Sequence, residues 1–126
     1  MSLTVKKFKE KYSVAERIHS VDTIKRRHPN KVPIIMERYH AEKHLPILDR
    51  CKFLVPDYLT VAELVKIISN IIRRRLQLHP SQTFFLLVNE RNIASGSMTI
   101  GQLYQQEQDL DGFLYIVFAS QDVFGH

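Results

Sequence analysis

Residues 52–68 read KFLVPDYLTVAELVKII, and within this stretch a strand pattern is followed by a helix pattern. The apolar run before Pro56 predicts a strand that the proline ends. Thr60 and Glu63 then form a capping box, in which the hydroxyl and the carboxylate satisfy exposed N–H groups at the start of a helix. The stretch therefore predicts a strand, a short turn and a helix in succession.

The helix that begins at this cap is predicted to be the longest in the chain. Apolar side chains recur at helical spacing from Val61 to Leu76 and form a wide stripe. Three arginines at positions 73–75 suit the negative end of the helix dipole. We expect His79-Pro80 to end the helix, because proline cannot continue the ladder of backbone hydrogen bonds.

Strand patterns flank this unit on both sides. Residues 31–39 (KVPIIMERY) and 50–56 (RCKFLVP) predict a hairpin, with Pro33 marking an edge or a strand start. Residues 83–88 (TFFLLV) are continuously apolar and predict a central strand. After a short helix or turn in TIGQLYQQE and a tight turn in DLDG, residues 112–119 (GFLYIVFA) predict the last strand.

Two helices are predicted before the first strand. The first lies in VKKFKEKY, and the second begins at a capping box formed by Ser13 and Glu16 and stops at His28-Pro29. The predicted order is helix, helix, strand, strand, helix, strand, short helix, strand. Its second part is the β-grasp order, in which a sheet of about four strands wraps around one helix, so the predicted fold class is α+β.

Length and charge constrain the organisation further. The 126 residues suit one domain with its own core. The net charge is +5, but residues 1–31 hold nine Lys/Arg against three Asp/Glu (+6), while the remaining residues hold nine against ten (−1). This asymmetry predicts a basic N-terminal face for an acidic partner such as phospholipid, nucleic acid or an acidic protein surface. A merely solvated helix face is the alternative.

The sequence has no motif for nucleotide binding and no nucleophile elbow. Cys51 lies in an apolar strand pattern, where a small buried thiol is commoner than a nucleophile. His40, Glu42 and His44 alternate as metal ligands can, but they share their stretch with lysine and are interpreted as part of a solvated loop. We therefore expect no catalytic residues, no cofactor and no metal site.

Three features predict a protein of a reducing compartment, either the cytosol or the nucleus. The single cysteine excludes an internal disulfide framework. No apolar run approaches the ~18 residues that a membrane span needs. The first residues, MSLTVKKFKEKYS, lack the apolar stretch of a secretory signal.

Several segments of the chain carry a resemblance to one family: HPNKVPIIMERY, LPILDRCKFLVPDYLTVAELVKII, RRRLQL, FFLLVN, DGFLYIVFASQ and the final FG. They resemble the autophagy ubiquitin-like modifiers, and within them the microtubule-associated protein light chain 3 branch. The resemblance implies a ubiquitin-like β-grasp fold, with a four-stranded mixed sheet around one helix and two extra N-terminal helices. It implies a single domain over 1–126, made of a basic helical part (1–28), a β-grasp core (29–120) and a flexible conjugation tail (121–126).

The resemblance also implies a use for the final residues. A processing cysteine protease would cut the bond between Gly125 and His126, next to Phe124. Activating and conjugating enzymes would then pass the Gly125 carboxylate through thioesters to the amine of phosphatidylethanolamine, which would place the protein on the autophagosome membrane. Glycine suits this use because a tail without a Cβ can thread a narrow catalytic cleft.

A second implied site is a groove beside KFLVP that would bind cargo receptors through short aromatic-x-x-aliphatic motifs preceded by acids. An edge strand can bind an extended peptide in this way. Alternation along the strand sends Lys52, Leu54 and Pro56 to one face and Phe53 and Val55 to the other.

The resemblance assigns residues to two pockets of this groove. The aromatic pocket is assigned Ile24, Pro33, Ile35, Lys52, Leu54 and Phe113. The aliphatic pocket is assigned Phe53, Val55, Pro56, Leu64 and Ile67. Arg50 and Lys52, with Lys31 nearby, would meet the acids of the ligand.

Two features depart from the family pattern. A segment equivalent to ISNI, at residues 68–71, intervenes before RRRLQL and is expected to lengthen the helix or force a bulge. Ser20 stands where relatives often carry an acid that faces the aromatic pocket.

An interpretation of a different class stays open. The chain could be a basic adaptor module that binds RNA or microtubules without lipid conjugation. It would use the lysines of the basic N-terminal face, Lys6, Lys7, Lys9 and Lys11, together with the Lys25, Arg26 and Arg27 cluster.

Overall fold

Four helices and five strands form the part of the chain that the structure, a computed structural model, describes: residues 6–48, 51–89, 91–92 and 96–120. The helices are α1 (Phe8–Lys11), α2 (Val14–Arg27), α3 (Val61–Leu76) and α4 (Ile100–Glu107). The strands are β1 (Lys31–Arg38), β2 (Lys52–Pro56), β3 (Phe84–Val88), β4 (Arg91–Asn92) and β5 (Leu114–Ser120). None of these helices is long and apolar enough to cross a membrane.

The strands form one mixed sheet in the order β2-β1-β5-β3-β4. β5 runs parallel to β1, with Ile34 opposite Leu114, and antiparallel to β3, with Phe84 opposite Ser120. β1 and β2 form the predicted antiparallel hairpin. All four predicted strands are present, and the two-residue β4 is a short strand beyond these four.

α3 covers one face of the sheet and closes the main core. Its buried residues Leu64, Ile68 and Ile72 meet residues of β1 and β5 such as Ile34 and Phe118. The predicted capping box is present: Thr60 Oγ1 accepts the Glu63 N–H at 3.2 Å, and the Thr60 N–H is donated to the Glu63 carboxylate at 3.1 Å. The local start signal and the apolar stripe thus place the helix where the sequence predicts it.

α1 and α2 cover the opposite face. Phe8 of α1 and Val21 of α2 form a second buried cluster with Ile35 and Phe113, which are fully buried. Since Ile34 and Ile35 are consecutive, their side chains point to opposite faces of the sheet. The sheet therefore lies between two helical layers, and the two predicted N-terminal helices are confirmed.

Two details differ from the sequence prediction. β5, rather than β3, is the central strand of the sheet, with β1 on one side of it and β3 on the other. α3 ends at Leu76, before His79-Pro80, because Gln77 adopts a left-handed conformation with φ of 50° that stops the helix. The helix is continuous from Val61 to Leu76, so the additional segment at 68–71 lengthens it without a bulge.

The interpretation of His40, Glu42 and His44 as part of a solvated loop was wrong for Glu42. His40 and His44 are exposed, but Glu42 is only 3% exposed. Its carboxylate accepts backbone N–H groups, which compensates for the loss of water. Leu45 in the same connection is also buried, so the loop packs against the domain.

The predicted tight turn in DLDG is present. The Gly112 N–H is donated to the Asp109 carbonyl at 2.9 Å, and Gly112 has a φ of +92°, which favours glycine. A Cβ added at Gly112 would lie 2.8 Å from Val21 Cγ1, so the turn also needs glycine for the close approach of α2. Asp111 in this turn is buried, although the sequence predicts only a turn residue.

Candidate functional site

β2 lies at the edge of the sheet, and β1 is its only strand neighbour within the described ranges. Lys52 and Leu54 are exposed, whereas Val55 is buried and Phe53 packs against the core. This is the predicted alternation. β2 thus offers a backbone edge without a strand partner beside a basic and an aliphatic side chain.

A cavity of about 630 Å³ lies between β2 and the two N-terminal helices. Three of its charged lining residues are basic, namely Lys11, Arg17 and Lys52, and one is acidic, Glu16. The Glu16 carboxylate accepts the Ser13 N–H at 2.8 Å, and this bond, with the Ser13 hydroxyl, holds the pKa of Glu16 below its usual value. Arg17 is ion-paired with Asp111 at 2.6 Å, so the positive charge that faces the cavity comes from Lys11 and Lys52 and exceeds the single charge of Glu16. The other lining residues are Phe8, Tyr12, His19, Ser20 and Cys51.

The structure brings the residues assigned to the aromatic pocket together. Leu54 stands opposite Pro33, and Lys52 stands opposite Ile35, in the β1–β2 pairing. Ile35 and Phe113 are fully buried and belong to the second core cluster, against which Ile24 packs. Ile35 and Phe113 therefore lie beneath the surface, while Lys52 and Leu54 remain accessible.

The residues assigned to the aliphatic pocket divide in the same way. Leu64 is fully buried and Val55 is 9% exposed, so both belong to the main core. Ile67 of α3 is 43% exposed, and Pro56 is half-buried. The Arg75 guanidinium lies 6.0 Å from the centre of the Phe53 ring. Ile67 is thus the accessible apolar side chain of this part of the groove.

The basic N-terminal face is partly engaged within the molecule. Lys7 Nζ donates to the Arg38 carbonyl, and Lys9 Nζ lies 2.6 Å from the Asp109 carboxylate and 4.6 Å from the centre of the Tyr115 ring. Lys6 and Lys11 are exposed. The four lysines are therefore not equivalent as contacts for an external partner.

Cys51 lines the cavity and is half-buried. Burial, followed by the nearby Glu37 carboxylate, raises the pKa of its thiol. A raised pKa lowers the thiolate fraction and with it the nucleophilicity of the side chain. Cys51 is therefore interpreted as a small side chain that lines the cavity.

The resemblance placed Ile24 and Ser20 of α2 at the aromatic pocket, and Ser20 lines the cavity. Sequence reasoning missed that Lys11 of α1, and Tyr12 and His19, line it too. For Lys11 the only signal was the basic character of the N-terminal stretch, and it does not specify which residues face β2.

Part of the predicted site lies outside the described residues. This holds for Arg50 in the groove and for the tail residues Phe124, Gly125 and His126. The described chain reaches Ser120 at the end of β5, five positions before Gly125.

A β-grasp sheet with α3 on one face and two added helices on the other defines a ubiquitin-like protein. A crystal structure of Trypanosoma brucei ATG8 is similar to the chain with a TM-score of 0.77 and 31% identity, covering 94% of this chain and 97% of that one. Protein lgg-2 of Caenorhabditis elegans is 55% identical over 121 residues, 96% of this chain and 90% of that protein. Human microtubule-associated protein 1 light chain 3 gamma is 42% identical over 122 residues, 97% of this chain and 80% of that protein.

The sequence model of the family described as autophagy protein Atg8 ubiquitin like matches residues 16–125. The chain therefore belongs to the Atg8 family of ubiquitin-like autophagy proteins. The predicted family is confirmed, and the similarity to light chain 3 gamma agrees with the predicted branch.

Proposed function

We propose that this chain is a non-enzymatic modifier that becomes attached through Gly125 to phosphatidylethanolamine and then recruits cargo receptors to autophagosomal membranes. It is cytoplasmic before attachment and a peripheral membrane protein afterwards. Its partners are a processing cysteine protease, the activating and conjugating enzymes, and receptors with aromatic-x-x-aliphatic motifs. The observation that carries the proposal is the open edge of β2 beside the basic cavity in a member of the Atg8 family.

The edge and the cavity suit an extended acidic peptide. Backbone groups of β2 can pair with such a peptide as an added strand, and alternate side chains of the peptide then point into the domain. Lys52 and Lys11 supply positive charge on the side of the cavity, and the exposed Leu54 and Ile67 supply apolar contacts. Charge complementarity of this kind favours acids in the peptide.

The attachment step follows from the tail. The family match ends at Gly125 and leaves His126 outside it. Hydrolysis of the bond between these two residues adds water, releases free histidine and exposes the Gly125 carboxylate. The activating enzyme uses ATP to convert this carboxylate into an acyl-adenylate, with release of pyrophosphate, and its thiol displaces AMP to form a thioester. The acyl group then passes to the thiol of the conjugating enzyme, and the lipid amine displaces that thiol to form the amide bond.

A reconstitution tests the proposal. The intact chain is incubated with the processing protease, the activating and conjugating enzymes, ATP, and liposomes that contain phosphatidylethanolamine, and the products are weighed by mass spectrometry. We expect the loss of His126 and then a gain equal to the lipid less one water. A chain that lacks His126 should be conjugated without the protease. If this shortened chain gives no lipid adduct, the proposal is wrong.

Lys52→Ala and Leu54→Ala should each weaken the binding of an acidic aromatic-x-x-aliphatic peptide by about 1–3 kcal/mol, because a charge-assisted or buried contact is lost. Both side chains are exposed, so the domain should stay folded. Calorimetric titration measures the change. Lys43→Ala, at an exposed lysine of the connection between β1 and β2, is the matched control and should bind normally. Unchanged affinity in both groove variants would exclude this groove as the binding site.

The exposure of Lys6 and Lys11 favours an additional contact with anionic membranes or acidic microtubule tails. The Lys6→Ala/Lys11→Ala variant should lose most of this affinity, above all at low salt, because the attraction between exposed charges is screened by ions. Lys7→Ala and Lys9→Ala should lower this affinity less, since both lysines already have partners in the domain. Co-sedimentation with anionic vesicles or microtubules over a range of salt measures the effect. If binding depends neither on these lysines nor on the salt concentration, the basic face is only a solvated surface.

A further inference from the structure

The connection between β1 and β2 contains a buried carboxylate in a polar surrounding. Glu42 is 3% exposed, whereas its neighbours His40, Lys43 and His44 are exposed. A buried carboxylate is costly unless hydrogen bonds replace its water. The buried Glu42 carboxylate therefore requires hydrogen-bond donors from the surrounding protein.

Three backbone N–H groups supply the replacement for water. Glu42 Oε2 accepts the N–H of His44 and of Leu45, each at 2.9 Å. Glu42 Oε1 accepts the N–H of Ser120 at 2.6 Å, across 78 positions of the sequence. The side chain thus ties the connection between β1 and β2 to the last residue of β5.

The hydrogen bond from the Ser120 N–H to Glu42 lies just beyond the point where the pairing of β1 with β5 ends. The pairing of β1 with β5 ends at Arg38 opposite Phe118, but the pairing of β3 with β5 continues to Ser120. Beyond Phe118, β5 therefore has lost β1 as its neighbour. The Glu42 carboxylate takes the place of that strand at the Ser120 N–H.

Glu42 is suited to hold this point as an anion. Burial pushes the pKa of its carboxyl upwards, but the N–H groups of Ser120, Leu45 and His44 outweigh burial, and the pKa lies below its usual value. A hydrogen bond to a charged acceptor is roughly twice as strong as one between neutral groups. The neighbouring backbone bond from the Tyr39 N–H to the Phe118 carbonyl, at 2.9 Å, adds a second link between the connection and β5.

We propose that Glu42 is a positioning residue for the processing of the C-terminal tail. The inference rests on the proposed function, because it concerns how the bond between Gly125 and His126 reaches the protease. Five residues at about 3.3–3.6 Å each can reach no more than about 17–18 Å from Ser120. A protease that holds the folded domain and the scissile bond together therefore depends on where this short tether begins. Ser120 is paired with Phe84 of β3, and the Glu42 carboxylate holds its N–H.

The test compares Glu42→Gln, which removes the charge but keeps the size, with Glu42→Asp, which keeps the charge on a shorter side chain. Lys43→Ala is the matched control in the same connection. Cleavage kinetics are measured well below the melting temperature of every variant. Misplacement of a reacting bond by about 1 Å can cost about a hundredfold in rate, so Glu42→Gln should lower kcat/KM by about tenfold or more. Glu42→Asp should retain more activity than Glu42→Gln, and Lys43→Ala should behave as wild type.

Two readouts separate positioning from general damage. Affinity for the groove peptide should stay within about twofold in Glu42→Gln, because its hydrogen-bond partners His44, Leu45 and Ser120 are not among the residues that line the cavity beside β2. A flexible Gly-Ser linker inserted between Ser120 and Gln121 should remove the dependence on Glu42, since the tether then no longer transmits the position of Ser120. Equal cleavage of Glu42→Gln and wild type, or an equal loss with the linker present, would overturn the proposal.

Failure of the proposed function is distinguishable. If the wild-type chain is not cleaved at all, the modifier proposal fails, and the anchor is then judged by hydrogen exchange at the Ser120 amide. We expect this amide to exchange about tenfold faster or more in Glu42→Gln, as loss of a charge-assisted bond requires. Unchanged exchange at Ser120 would show that Glu42 anchors nothing.

Discussion

Gly125→Ala should abolish both the release of His126 and the attachment of the chain to phosphatidylethanolamine. The added Cβ meets the walls of a cleft that a glycine backbone can pass, and a misplaced scissile bond costs about a hundredfold or more in rate. The measurement is the yield of lipid adduct, by gel shift and mass spectrometry, in the reconstituted system. The substituted residue follows β5, so peptide affinity at the groove should not change.

Asp122→Ala is the matched control in the same tail, and it should be processed and conjugated nearly as well as wild type. Combining Gly125→Ala with removal of His126 separates the two steps, because this chain needs no protease. It should still fail at thioester formation. Efficient conjugation of a chain that carries Gly125→Ala would contradict the assignment of Gly125 as the attached residue.

Asp111→Ala should destabilise the domain by about 3–5 kcal/mol, which is typical of breaking a buried ion pair. The Asp111 side chain is fully buried, and its Oδ2 accepts from Arg17 at 2.6 Å and from the Tyr115 hydroxyl at 2.5 Å. Its Oδ1 accepts the Phe113 N–H at 2.8 Å. The substitution leaves all these donors without their acceptor. Urea denaturation measures the change in the free energy of unfolding.

The neighbouring Leu110 is fully exposed, so Leu110→Ala should change stability by no more than about 0.5 kcal/mol. Asp111→Ala combined with Arg17→Ala should cost less than the sum of the two single substitutions, because both remove the same ion pair. Arg17 also lines the cavity beside β2, so peptide affinity should fall in the variants that carry Arg17→Ala. Additive effects would mean that the pair is not coupled.

The parts of the fold that the sequence predicts well depend on local chemistry. The capping boxes at Ser13 and Thr60 use residues three positions apart, so the start of a helix can be identified from a few letters. The alternation of Lys52 and Leu54 with Val55 depends only on the pleat of a strand. These features need no knowledge of distant partners.

The parts that the sequence does not predict depend on distant partners. Glu42 and Asp111 lie in short stretches that are rich in polar and charged residues, yet both side chains are buried. The partner of Glu42 is 78 positions away, and Arg17 is 94 positions from Asp111. The resemblance to the family supplied the groove and tail residues, whereas these two anchors became visible only when the chain was folded.

The parallel pairing of β1 with β5 affects how the protein folds during its synthesis on the ribosome. Ile34 pairs with Leu114, which is 80 positions later in the chain, so the two strands cannot pair until that residue has been synthesised. Until β5 has been synthesised, β1 and β3 lack the strand that joins them, and their edges stay open to other chains. Contacts between residues so far apart also slow folding. The domain is therefore expected to fold only after β5 has left the exit tunnel, and a nascent chain stalled before Leu114 would depend on chaperones.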